Sequence, residues 1–160
     1  MSAVDAFTRK MARLLLLIAG LTLAFMLLFT LFDVIMRGFG RPIIGDYEVI
    51  SFLGAVVVGF AIPYTGLLKG HVIVDFMLEK LPKTAGAAMQ IATRILGIAL
   101  FLWMGWNFVV MSLDLVKSKE VTPVFRLPYY PISFGLAFAC LIQSLVFFSE
   151  IKEITGGRHG

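Results

Sequence analysis

Four uncharged, strongly apolar runs alternate with short polar connections along the chain, at 14–32, 49–68, 95–113 and 127–149. A bilayer core about 30 Å thick needs roughly 20 helical residues at about 1.5 Å each, and every run meets that length. With their flanking turns they predict helices at 14–36, 47–68, 90–113 and 127–150 in a single four-helix membrane domain covering 1–160. The connections are too short for a second domain. Arg9, Lys10 and Arg13 precede the first run, but the run is longer than a signal-peptide core and no small-x-small cleavage site follows it, so it reads as an anchor. Ser2 and Asp5 resemble a capping box that starts a helical lead into this span. Residues 84–94 are rich in helix formers, so the third helix is expected to begin before its membrane portion. Pro128 and Pro131 suit the first turn of the fourth.

Composition agrees with this pattern: 59% of residues are apolar and 15% charged, against about 45–50% and 25% in soluble domains. The mean hydropathy of +0.93 excludes a disordered chain. A single cysteine rules out an intrachain disulfide, and two histidines, both outside the apolar runs, give little basis for metal or haem chemistry. The net charge of +4 contains no basic run longer than Arg9-Lys10, which argues against a nucleic-acid partner. Its distribution is more informative. Nine Lys and Arg residues fall on the side of the termini and five on the side of Arg37, Arg41, Lys117, Lys119 and Arg126. The positive-inside rule therefore predicts an all-α integral membrane protein with both termini in the cytoplasm.

Polar residues within the spans are few. Asn107 and Gln143 are expected to hydrogen-bond between the third and fourth helices. Asp33 and Arg37, four residues apart, form an ion pair on one helical face rather than a mid-membrane ion or proton site. Ala55 and Gly59 place two small residues on one face of the second helix, where another helix, from this chain or a partner, can approach closely. Trp103 and Trp106 lie near the middle of the third span, away from the usual interfacial belt, and suggest a packed or partner-covered surface. Arg94 is expected at the membrane interface, its guanidinium reaching toward headgroups.

The connections hold the most specific patterns. Asp33 and Arg37 are followed by Arg41-Pro42 and by Asp46-Tyr47-Glu48, whose carboxylates complement the start of the second helix. Gly70-His71-Val72-Ile73-Val74-Asp75 follows the second span, with Leu81-Pro82 soon after; Thr122-Pro123, Leu127-Pro128 and Tyr130-Pro131 lead into the fourth. In this order the segments resemble the small membrane subunit of tripartite ATP-independent periplasmic (TRAP) transporters, the DctQ-type family. Many of its members carry Trp and paired Glu where this chain has Asp46-Tyr47-Glu48.

The resemblance implies a scaffold in the bacterial inner membrane. It would pair with a large elevator-type subunit and an extracytoplasmic substrate-binding protein to import organic acids with sodium. Sodium and substrate would bind in the large subunit, leaving no cofactor, metal or catalytic residue in this chain. The candidate contacts with these partners or with lipids are Asp33, Arg37, Arg41, Asp46, Glu48, Ala55, Gly59, Gly70, His71, Asp75, Arg94, Trp103 and Trp106. The residues themselves point the same way, since the chain has no internal repeat, broken-helix pair or mid-membrane charge cluster. The competing reading is an autonomous, dimeric, proton-coupled four-helix carrier, which would need a carboxylate at mid-depth. A membrane enzyme is disfavoured by the lack of histidines and of Arg, Glu and Asn clusters within the spans.

Overall fold

A computed structural model describes residues 3–68 and 83–155. It contains four helices: α1 (Ala3–Gly38), α2 (Asp46–Leu67), α3 (Lys83–Ser118) and α4 (Tyr130–Thr155). Each is long and apolar enough to cross a membrane. α1 and α3 have 36 residues apiece, about 54 Å of helix, and so exceed the hydrocarbon thickness. The basic lead before the first span belongs to α1, and α3 begins at Lys83, before its membrane portion. α4 starts at Tyr130, a few residues beyond 127. Arg126 takes a left-handed φ of 53° and Val121 pairs with Pro128 across a tight loop, which holds 127–129 outside the helix.

The helices run up and down. One end of the bundle holds the connections 39–45 and 119–129 and is called the loop end below; the other holds the first turns of α1 and the last turns of α4. α4 is the central element. It packs against α3, α2 and α1, α1 also packs against α2, and among the described residues α3 is held by α4 alone. Over half of the α4 span is buried, against 11–17% in the other three.

Close packing carries these contacts, because burying apolar surface gives no net drive when the surroundings are also apolar. Gly59 of α2 lies directly against Leu136 of α4, so the small-residue face of α2 meets a helix of its own chain. Gly97 of α3 leaves room for the Phe147 ring, 2.7 Å from where a Cβ would stand. Phe147 also meets Phe101 edge-on, with centroids 5.8 Å apart. Ser133 of α4 donates a hydrogen bond to the Phe108 carbonyl of α3 at 3.1 Å, joining two helices at a carbonyl that also accepts Ser112 at 2.6 Å.

Polar packing at the end opposite the loops differs from the sequence-based expectation. Gln143 does not meet Asn107. It is 1% exposed and lies against Gly66 of α2, whose missing side chain makes space for the amide. Asn107 faces outward and donates to the Trp103 carbonyl one turn back in its own helix, at 2.8 Å. Arg94 likewise turns inward rather than toward headgroups: its Nε lies 2.5 Å from Glu150 Oε2 of α4, with both side chains largely buried. The guanidinium also lies 5.8 Å from the Phe147 ring centroid. A carboxylate on the neighbouring helix offers Arg94 a stronger partner than a distant headgroup does.

Breaking one half of a buried ion pair strands the other charge, whereas replacing both with apolar side chains removes the desolvation cost too. Glu150→Leu removes the carboxylate paired with Arg94 and should therefore lower stability in mild detergent by roughly 3–5 kcal/mol. The double variant Arg94→Leu with Glu150→Leu should recover most of that loss, as measured by denaturant unfolding.

Candidate functional site

The loop end gathers most of the charged residues singled out in the sequence. Asp33 sits in the penultimate turn of α1 and is 3% exposed. A bare buried carboxylate would be costly, but this one is doubly bonded: Arg37 Nε donates to one oxygen at 2.5 Å and the Ile43 backbone amide to the other at 3.1 Å. Arg37, itself half-exposed, extends its other arm to Asp46 at 2.7 Å. Asp33, Arg37 and Asp46 thus form a chain of alternating charge that folds the 39–45 connection back onto α1 and fixes the first turn of α2. The i,i+4 spacing made the first link legible. The second depends on the turn, in which Gly40 and Gly45 both adopt positive φ.

Glu48 makes the longest-range link. It is 4% exposed, and its two oxygens accept the backbone amides of Val124 at 2.9 Å and Phe125 at 3.1 Å, 76 and 77 residues away. Spacing in the sequence indicates a helix-start carboxylate but gives no sign of this partner. Thr122 prepares the receiving loop. Its amide bonds the Leu127 carbonyl at 3.0 Å, its hydroxyl accepts the Leu127 amide at 3.0 Å, and its carbonyl accepts the Arg126 amide at 3.1 Å. With that turn closed, the amides of Val124 and Phe125 point at Glu48. Gly45 completes the junction: its φ of 87° favours glycine, and a Cβ there would stand 2.7 Å from Val124 Cγ1.

The other candidates that the structure describes take no part in this cluster. Arg41 is exposed on the first connection and forms no ion pair among the described residues. Ala55 lines two adjoining cavities in the cleft between α2 and α3, with α4 as floor. The one nearer the loop end has about 590 Å³ and includes Glu48, Ser51, Glu120 and Tyr129; the deeper one has about 260 Å³ and is wholly apolar. Trp103 and Trp106 are each 68% exposed on the outer side of α3. Gly70, His71 and Asp75 lie outside the described residues. The residues that sequence reasoning missed are the receivers: Thr122 and the amides it presents, Gly66 beside Gln143, and Glu150 opposite Arg94.

Chemically, these groups are already committed. The carboxylates of Asp33 and Glu48 are occupied by donors from this chain, and no group of His, Cys, Asp and Glu suited to a metal ion exists among the described residues. Four membrane-length helices clamped at one end by two buried carboxylates define a multi-pass helical membrane protein. Over residues 26–155 the chain matches the family of tripartite ATP-independent periplasmic transporters, DctQ component, and it belongs to that family. It is accordingly a small membrane component of a TRAP transporter, in a family of transporter parts rather than enzymes. No curated protein and no solved structure matches it.

The clamp makes a direct prediction. Glu48→Ala strands two backbone amides that now bond a carboxylate, at a cost of about 2–3 kcal/mol. Amide hydrogen exchange at Val124 and Phe125 should accelerate well over tenfold, while exchange in the α3 interior stays unchanged.

Proposed function

We propose that this chain is the scaffold subunit of a sodium-coupled importer of organic acids in the bacterial inner membrane. It braces a large elevator-type subunit and takes part in docking an extracytoplasmic substrate-binding protein. The observation that carries this reading is the disposition of its buried charges. Asp33, Glu48 and Glu150 stand toward the helix ends and Arg94 near the start of the Met89–Ser118 span, and each is engaged within the chain. An elevator or proton-coupled carrier needs titratable or ion-binding groups free at mid-depth, and a brace does not. The autonomous carrier loses its best candidate, because Asp33 is held by Arg37 and Ile43.

In this reading both termini face the cytoplasm, as the excess of Lys and Arg on their side favours. The loop end is then extracytoplasmic, and its clamp presents a preshaped surface: Phe39 and Ile44 of the first connection are nearly four-fifths exposed, and Gly45 lies against Val124 and Phe125. Sodium and substrate bind in the large subunit.

Reconstitution tests the proposal. Liposomes containing this chain and the large subunit, supplied with the binding protein, should accumulate an organic acid along a sodium gradient. Omitting this chain should abolish uptake. Sodium-driven uptake by this chain alone would overturn the scaffold reading.

A further inference from the structure

The outward face of α3 differs in kind from the other large exposed face of the bundle. The α4-facing side of α3 is marked by Gly105 and Ser112, both buried. At about 100° per residue, Trp103, Trp106, Asn107, Val110 and Asp114 fall on the opposite side, within roughly 60° of one line. All five are exposed. Trp103 lies near the midpoint of the Met89–Ser118 span, and Asn107 is about 6 Å further along the axis. Neither indole N–H has a hydrogen-bond acceptor among the described residues, and Asn107 uses only its amide nitrogen, on the Trp103 carbonyl.

Hydrocarbon supplies no acceptor for an indole and no donor for an amide oxygen, and leaving such groups unmet is costly. The exposed face of α1 has no such needs. Its outward residues at corresponding depths include Leu17, Leu21, Leu28 and Leu31, each more than half exposed, and they suit acyl chains. The α3 stripe also grows more polar toward the loop end. There a concavity of about 460 Å³ runs from Asn107 past Asp114 to Ser118 and Glu120. Asp114 is held only loosely by Lys117, at 3.8 Å, and Glu120 has no ion-pair partner among the described residues. Among the described residues α3 packs on α4 alone, so a second helix can lie along it without displacing α1 or α2.

Taking the scaffold reading as its basis, we infer that the Trp103, Trp106, Asn107 and Asp114 face of α3 seats a transmembrane helix of the large subunit. That helix presents hydrogen-bonding side chains or carbonyls to the two indoles and to Asn107 at mid-depth. Near Asp114 and Glu120 it carries a cationic side chain. The exposed face of α1 is left to lipid.

Site-specific photocrosslinking in the intact complex tests this assignment. Photoreactive benzoylphenylalanine is placed in turn at Trp103, Trp106 and Asn107, and at Leu21 and Leu28 of α1 as comparison positions. The small and large subunits are co-expressed in cells, and adducts are identified by peptide sequencing. Adducts with the large subunit are expected from the α3 positions and only lipid adducts from α1. In parallel, Trp103→Ala with Trp106→Ala should reduce the co-purified large subunit about fivefold or more while the helical circular dichroism of this chain is retained. Three results overturn the assignment while leaving the scaffold reading intact: α1 adducts only, α3 adducts with lipid only, or α3 adducts with a second copy of this chain, each while the wild-type subunits still co-purify. Failure of the wild-type chain to co-purify with the large subunit would overturn both.

Discussion

A helix surrounded by hydrocarbon gains little by hiding apolar surface against another helix, so the bundle must be held by close packing and by polar groups that have nowhere else to go. Both are concentrated on α4. Leu136 enters the space left by Gly59, Phe147 the space left by Gly97, and Gln143 the space left by Gly66. Ser133 reaches the Phe108 carbonyl and Glu150 meets Arg94. Among the described residues, α3 packs on no helix but α4, and α4 is the helix that joins it to the α1 and α2 pair. The loop-end clamp complements this axis: Glu48 grips the loop that launches α4, while Asp33 and Arg37 hold the loop that launches α2.

This arrangement assigns the chain's few buried charges to architecture. A carboxylate that accepts two donors with good geometry is expensive to move and poorly placed to exchange ions. In the proposed scaffold role, the same groups that make the loop end stiff leave no free buried carboxylate there to carry cargo. Stiffness of this kind suits the proposed brace, since a partner can move against it without dragging it along. The exposed surface divides accordingly into an apolar side on α1 and an aromatic, polar stripe on α3.

Much of the fold was legible because a membrane imposes a simple rule: a charge-free run of sufficient length is a span. The Asp33–Arg37 link was legible as well, since i,i+4 neighbours share a face whatever the rest of the chain does. What could not be read were contacts that depend on how helices lie beside one another. Glu48 gives no hint of Val124 and Phe125, because those donors are backbone amides and belong to no residue type. Asn107 and Gln143 seemed natural partners as the strongest polar groups on adjacent helices, yet they point to different sides of the bundle. Arg94 looked like an interfacial residue because its counter-ion, Glu150, closes a span 56 residues later. The late start of α4 follows from turn geometry around Thr122 and Arg126, which hydropathy does not register.

If the chain belongs to a sodium-coupled importer as proposed, its buried carboxylates hold the structure together and do not carry ions, and the sodium-to-substrate coupling ratio of the assembled transporter tests this most directly. Asp33→Asn keeps the shape of the side chain and an acceptor for the Ile43 amide while removing the charge. If the account is right, transporters assembled with this variant move the same number of sodium ions per substrate as the wild type, even where less complex is recovered. A changed coupling ratio in the complexes that do assemble would place Asp33 on the ion path and contradict it.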